Sequence, residues 1–293
     1  RQLYLRELMA RFGHHLALKF NLGEENGPAH FSPVAQNDAQ RKAMTSFIEK
    51  IDPYNHPILL HTHSVDPERS DILDSIVGFK PLDGLSLQAN KREGAPAIVA
   101  EWKNKSREAG RKWMITMDEI GMWHTGVRSD SLDGNHDSLR RYVLWGTLLS
   151  GAAGVEWYFG ANNRYHDLNT EDWRSRDRLW EITDYAIDFF QEHLPYWEME
   201  AEHRLVNSKD AYSFRKTGEV YAIYIPDSKE YTIDLTEANG EFNLLWYNPL
   251  KGGNLQEGSV KSLKGGTKQK MGLPPQGGSD TTSDQDWIVL IKN

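Results

Sequence analysis

The chain has 293 residues, 39% of them hydrophobic, and carries 42 acidic against 34 basic side chains for a formal charge of -8. That length buries a substantial core and favours two domains, or one large domain with an appendage, while the acidic balance argues against nucleic acid as the main partner, because phosphate binding leans on clustered Lys and Arg. No run of about 18 apolar residues is present, so no membrane span is expected, and the absence of Cys removes disulfides, thiolate metal sites and Cys nucleophiles together.

Residues 1–12 lack the basic, apolar and small-residue order of a signal peptide. Tyr4, Leu5, Leu8, Met9 and Phe12 instead recur at helical spacing, the mark of an amphipathic helix already in progress. The chain is therefore expected to begin inside a fold. Short apolar runs follow at 16–21, 58–61, 85–88, 113–117 and 155–159. Helical patterns lie between them: 36–51 with Ala39, Ala43, Phe47 and Ile51 on one face, and 96–109 with Ile98, Val99 and Trp102. After Asp137, an expected N-cap, a helix carries Leu139, Tyr142, Val143, Trp145 and Leu148 and ends near Gly151. Strands separated by helices indicate βα units and a parallel sheet. A closed βα barrel has eight strands, so five imply that this chain holds the C-terminal part of one, with the preceding strands on polypeptide outside it.

One more amphipathic helix is expected at 173–192, with Trp180, Ile182, Tyr185, Phe189 and Phe190, closed by Pro195. Beyond Met199 the apolar period changes to two. Tyr212 and Phe214, then 220–225, 231–235, 242–247 and 287–291, read as five short strands with turn signals such as Pro226-Asp227 and Asn248-Pro249. Strands without intervening helices indicate a small antiparallel sandwich. Residues 252–286, rich in Gly, Ser, Lys and Pro, are expected to form a long loop, with Lys251, Lys261, Lys264, Lys268 and Lys270 as a solvated basic stretch. The expected division is 1–198 for the α/β part and 199–293 for the β part.

Two apolar runs stop abruptly at carboxylates. Phe20-Asn21-Leu22-Gly23 leads into Glu24, Glu25 and Asn26, and Met117 leads into Asp118, Glu119, Ile120 and Gly121. Side chains at such positions of a βα barrel project from the C-terminal rim, where its chemistry is done. Two rim carboxylates from different strands suit glycosidic bond cleavage, in which one donates a proton to the leaving oxygen and the other stays ionised at the anomeric carbon. Apolar neighbours and a like-charged partner both favour the protonated form that a donor at Glu24 or Glu25 needs. The plainer alternatives are a solvated Glu pair capping the next helix, and a buried carboxylate in the second run paired with Arg111 or Arg128.

The run Asn-Leu-Gly-Glu-Glu-Asn, the run Met-Asp-Glu-Ile-Gly and the run Gly-Val-Glu-Trp-Tyr-Phe-Gly at 154–160 resemble strands four, seven and eight of the (β/α)8 glycoside hydrolases whose acid/base and nucleophile follow strands four and seven. More narrowly, the chain resembles bacterial members that carry an N-terminal β-sandwich, a barrel and a C-terminal domain of the collagen-binding type. The resemblance covers nearly the whole chain. It implies a retaining hydrolase of a polysaccharide or oligosaccharide, located outside the cytoplasm, with Glu25 as acid/base and Glu119 as nucleophile. Glu24 replaces the Asn that usually precedes the acid/base and contacts a sugar hydroxyl. Nothing in residues 211–293 specifically suits a collagen triple helix.

Other strand ends supply a supporting set. His61 and His63 follow the run at 58–61 two residues apart, suited to substrate hydrogen bonding; a metal would need a third ligand at matching spacing, which the sequence does not offer. Gln88 offers an amide to a sugar hydroxyl. Trp123 and His124, with Trp157 and Tyr158, could form a stacking wall, since flat aromatic faces suit sugar rings, and Glu156 lies in the same run. Asp130, Asp133, Asn135 and Asp137 lack the Gly and terminal Glu of a calcium loop and read as capping and solvated groups. No phosphate cradle and no Gly-x-Ser-x-Gly elbow is present, and neither a metal nor an organic cofactor is expected. Two other readings remain open at this stage: a non-catalytic carbohydrate-binding protein on a degenerate barrel, and a polysaccharide lyase drawing its base from His61, His63, Tyr158 or Tyr165.

Overall fold

The computed structural model describes residues 1–29, 33–162, 164–166, 169, 172–275 and 285–293. Five parallel strands, β1 (Phe20–Asn21), β2 (Ile58–His61), β3 (Gly84–Ala89), β4 (Met114–Ile120) and β5 (Gly154–Val155), lie side by side in chain order. Helix α1 (Gln2–Phe12) precedes them, and α2 (Asp38–Ile51), α3 (Glu68–Asp74) and α4 (Ala95–Glu108) make the first three crossovers. The fourth is a π-helical segment, Leu139–Trp145, running into α5 (Gly146–Leu149), and α6 (Asp177–His193) follows β5. Each strand beside its predecessor is what successive βα units produce. The α/β class and the parallel sheet match the sequence reading. The sheet itself is open: β1 pairs with β2 and β5 with β4, so these strands alone do not close a barrel.

Local chemistry sets the element ends. Helix α2 starts at Asp38, two residues later than expected, because Asn37 forms a capping box with Gln40, each side chain accepting from the other's backbone N–H. The helix expected behind Asp137 begins without a side-chain cap. Asp137 instead accepts a 2.8 Å hydrogen bond from Arg140. The strands expected at 16–21 and 155–159 shorten to two residues each, the first losing its start and the second its end.

The two faces of the parallel sheet differ in kind. Ile58, Leu60, Leu85, Leu87, Ala89, Ile115, Met117 and Ile120 point to one side and join a core with Ile48 of α2, Leu73 of α3 and Val99 and Trp102 of α4. The alternate positions carry Asn21, Leu59, His61, Ser86, Gln88, Thr116 and Glu119, as the paired registers Asn21 to Leu59, His61 to Ser86, Ser86 to Thr116 and Gln88 to Glu119 require. A polar row on the inner face costs free energy unless its members bond one another or a ligand.

The remaining strands are antiparallel. β6 (Glu200–Ala201), β7 (Tyr212–Lys216), β8 (Val220–Ile225), β10 (Glu241–Tyr247), β11 (Ser262–Lys264) and β13 (Trp287–Lys292) form a six-stranded sheet in the order β11-β10-β13-β8-β7-β6, and β9 (Thr232–Asp234) pairs with β12 (Lys268–Lys270). The segment expected as one long loop at 252–286 therefore contains β11 and β12, and its residues 276–284 lie outside the described residues. Strands of three residues with a single buried apolar side chain, Leu263 in β11, carry no readable period. Lys264, Lys268 and Lys270 are on strands and not in a loop, and the last two pair with Asp234 at 3.4 Å and Glu230 at 2.6 Å.

Candidate functional site

The polar inner face forms a connected network around Glu119. His61, at the end of β2, places Nε2 3.5 Å from Glu119 Oε2, while its Nδ1 lies 3.0 Å from Ser86 Oγ. Asn21 donates to the same Ser86 oxygen at 3.1 Å and accepts the His61 backbone N–H with its own Oδ1 at 3.1 Å. The four side chains, from β1, β2, β3 and β4, fix one another. His61 and Glu119 are both buried, 6% and 8% exposed, so the pair is shielded and short of water partners.

An irregularity in β4 creates this arrangement. Leu87 pairs with Met117 but Gln88 pairs with Glu119, so Asp118 is an extra residue opposite β3. Thr116 donates to Asp118 Oδ2 at 2.8 Å, and Lys19 bridges both, 2.5 Å from Asp118 Oδ2 and 3.0 Å from Thr116 Oγ1. Asp118 and Glu119 thus share the inner side although consecutive strand residues normally point apart. Asp118 is the buried carboxylate with a cationic partner, but that partner is Lys19 and neither Arg111 nor Arg128; Arg111 pairs with Asp83. Beside Glu119, Gln88 is 5% exposed and its Oε1 has no hydrogen-bond partner among the described residues; buried Thr62 Oγ1 is likewise unpaired. An orphaned acceptor beside Glu119, as at Gln88, is what a bound polar ligand would satisfy.

Glu24 and Glu25 lie in a turn past the end of β1, so strand alternation does not orient them. Glu24 is exposed and Glu25 half-buried, with backbone φ of +43°. The end of β2 holds this turn: Leu22 N–H bonds Leu59 O at 3.0 Å, Asn26 N–H bonds His61 O at 2.9 Å, and His63 Nε2 lies 2.9 Å from Gly27 O. Gly27 has φ of +155°, and a β-carbon there would fall 1.8 Å from Ile72 Cδ1, so the close approach needs glycine. Asn26 departs from its expected role at the substrate. Its amide is buried and engaged with Gln36 Oε1 at 2.6 Å and with Arg41 at 3.4 Å, tying the turn to the start of α2. His63, past the strand end, serves the turn instead of sharing the site face with His61.

The loop after β4 carries Trp123, 63% exposed, edge-on to half-buried His124 with ring centroids 5.2 Å apart. Tyr158 joins it by donating its hydroxyl to Trp123 O at 2.6 Å. Trp157 does not: it is 7% exposed, packed in the core behind the sheet, with its indole N–H on Thr183 of α6 at 3.0 Å. Glu156 is exposed. The acidic cluster of this loop folds around buried His136, whose Nε2 is 2.8 Å from Asp130 Oδ1 and whose Nδ1 is 3.7 Å from Asp133. Among the described residues no three His, Asp or Glu side chains are gathered as a metal site, and no helix is long and apolar enough to cross a membrane.

A Ser–His pair elsewhere is not a nucleophile and base. Ser150 Oγ is 2.9 Å from His203 Nε2, but His203 Nδ1 accepts the Ser213 backbone N–H at 3.0 Å and therefore carries no proton. The proton is on Nε2, which donates to Ser150, while Ser150 donates to Gly146 O at 2.7 Å. The pair lines a cavity of about 900 Å³ between the edge of β5, α6 and the start of the antiparallel part, remote in the chain from Glu119.

Lys19, Asn21, Ser86 and Thr116 were not singled out by the sequence reading. A signal was present: each is a polar residue at alternate spacing inside or beside an apolar run, which marks a strand whose second face is also used.

Solved structures share this fold along the whole chain. A glycoside hydrolase superposes with a TM-score of 0.70 at 13% identity, covering 100% of this chain and 68% of its own. A glycoside hydrolase family 5 protein from Bacteroides vulgatus gives 0.69 at 14% identity, covering 100% of this chain and 66% of its own. The fold is theirs. A third structure, described as a "putative glycoside hydrolase" from Bacteroides vulgatus, gives 0.63 at 12% identity and is covered over 55% of its length. The chain thus spans between about half and two thirds of these glycoside hydrolases. Residues 199–292 match the family described as "Putative collagen-binding domain of a collagenase". No curated protein sequence matches the chain.

Proposed function

We propose that the chain is the acid-bearing part of a retaining glycoside hydrolase acting on a polysaccharide or oligosaccharide. The observation that carries the reading is the convergence on His61: its backbone carbonyl anchors the turn that bears Glu25, and its imidazole stands against Glu119. In this mechanism Glu119 attacks the anomeric carbon, Glu25 protonates the departing oxygen, and Glu25 then takes a proton from water as that water releases the glycosyl-enzyme. His61 orients the attacking carboxylate, and Gln88 offers its unpaired oxygen to a sugar hydroxyl. Trp123 and Tyr158 supply aromatic surface beside the site. The same reading includes a closed barrel, with further strands joining the unpaired edges of β1 and β5.

The test compares the full chain with Glu119→Gln and Glu25→Gln on 4-nitrophenyl glycosides and on a panel of polysaccharides scored by released reducing ends. Each variant is expected to lose turnover by about a hundredfold or more, and the first product is expected to keep the anomeric configuration of the substrate. Wild-type rates in Glu119→Gln would remove the reading. A product of inverted configuration would keep the hydrolase and reject the nucleophile. No role in binding collagen is proposed, because no surface described here singles out a triple helix.

A further inference from the structure

The two parts of the chain share one core, and a buried ion pair crosses between them. Along β8 the side chains alternate strictly: Tyr221, Ile223 and Ile225 enter the core of the antiparallel part, whereas Val220, Ala222 and Tyr224 enter the core of the α/β part. β13 does the same, with Val289 and Ile291 on one side and Ile288 and Leu290 on the other. Both faces of the six-stranded sheet are thus consumed, one by its own layer and one by the helices of the α/β part. Tyr247 packs 5.0 Å from Phe189 between ring centroids and donates its hydroxyl to Tyr185 O at 2.8 Å.

At the end of this seam Asp286 meets Arg140. The contact is bidentate, Nε to Oδ2 and Nη2 to Oδ1 at 2.9 Å each, and Tyr224 donates to Oδ2 at 2.7 Å. Asp286 is 3% and Arg140 5% exposed. Burial opposes the Arg140 charge, and the facing Asp286 carboxylate outweighs it and holds the guanidinium protonated. The rest of that guanidinium reaches back into the loop after β4: Nη1 bonds Asn135 O at 2.7 Å and Nη2 bonds Asp137 at 2.8 Å. Three other arginines brace the same loop. Arg92 holds Gly126 O at 3.3 Å and Ser138 at 2.6 Å, Arg176 holds Val127 O at 3.0 Å, and the Arg178 backbone N–H holds Asp130 at 2.9 Å.

We infer that Asp286 is a positioning residue: the antiparallel domain, through the Asp286–Arg140 pair, orders the loop that follows Glu119 and carries Trp123 and His124. The domain is then a brace for the rim and not a separable module. The alternative role for the pair is stability alone. The two roles separate because an apolar pair of similar volume commonly replaces a buried ion pair without loss of stability, yet it cannot bond Asn135 O or Asp137. The inference concerns the order of the loop and stands whether or not the site cleaves glycosides.

The experiment is native-state hydrogen exchange on the full chain, read by peptide for residues 122–138 and, as a control, for β2 and β3. In Asp286→Asn, exchange at 122–138 is expected to rise at least about tenfold with the control strands unchanged. In the double variant R140M/D286L, the unfolding midpoint is expected to return towards wild type while 122–138 stays fast. Wild-type protection of 122–138 in Asp286→Asn would overturn the inference, and so would a uniform rise across all peptides. Recovered protection in the double variant would also overturn it, since the pair would then serve stability alone. Should Asp286→Asn fail to fold, Asp286→Ser, which keeps Arg140 and its bonds to the loop within reach, is read on the same peptides with the same two outcomes.

Discussion

His61 Nε2 stands 3.5 Å from Glu119 Oε2, closer to that carboxylate than a chance neighbour and longer than a settled hydrogen bond. The imidazole is held from behind by Ser86, so its place against the carboxylate does not depend on Glu119 alone. Replacing His61 with Ala removes this contact and leaves buried Ser86 and Glu119 short of a partner. Turnover is expected to fall by about a hundredfold and stability by about 1–3 kcal/mol. Steady-state kinetics and urea denaturation on one preparation read both; unchanged turnover with lowered stability would make His61 a structural residue only.

Lys19 balances a buried charge. Its side chain is 32% exposed and that of Asp118 only 7%, so Lys19→Met leaves a carboxylate in a dry place without its cation. The expected loss is about 1–3 kcal/mol, less than for a fully buried pair because Lys19 is partly in water. The double variant K19M/D118L should recover most of it. A urea midpoint for Lys19→Met equal to wild type would show that the pair contributes nothing.

Gly27→Ala should damage the site from outside it. The added methyl meets Ile72 at 1.8 Å in a backbone region that side chains rarely adopt, a cost of about 2 kcal/mol or more. The turn carrying Glu25 must shift to relieve it, and His63 then loses its hold on the Gly27 carbonyl. Thermal unfolding and turnover are both expected to drop, and a crystal structure of the variant should show the turn displaced. An unmoved turn would mean that Ile72 alone yields.

His203 gives the fold a weak dependence on pH. Burial pushes its pKa below the ordinary 6.5. Above pH 6.5 the ring is neutral folded and unfolded, and no term arises. As pH falls through 6.5 the unfolded chain takes up a proton that the folded chain refuses, so stability declines until the folded value is passed. The advantage of wild type over His203→Gln in urea midpoint should therefore shrink between pH 7.5 and 5.5. An advantage that is constant or grows would contradict the burial argument.

The α/β part was legible because its strands are apolar on the helix side and its helices carry periodic faces; β2 was expected at 58–61 and is found there. Glu119 was legible as the end of an apolar run. What escaped were relations that no local window contains. The partner of Asp118 lies 99 residues away at Lys19, and the anchor of Arg140 lies 146 residues away at Asp286. Trp157 was assigned to an aromatic wall because it adjoins Tyr158, but neighbours on an extended chain face opposite ways. The strands β11 and β12 were hidden by their Lys content and by the Gly265-Gly266 pair between them, which belong to exposed, short sheet pieces as readily as to loops.

The spare residue in β4 lets two consecutive carboxylates share the inner face, which a strand of plain alternation does not allow. Deleting Asp118 would remove the bulge and restore plain alternation, with Glu119 still opposite Gln88 and on the side of His61, while Lys19 and Thr116 would lose the carboxylate they share. A homologue or designed variant one residue shorter at that point would keep the acid against His61 and give up only the buried ion pair beside it.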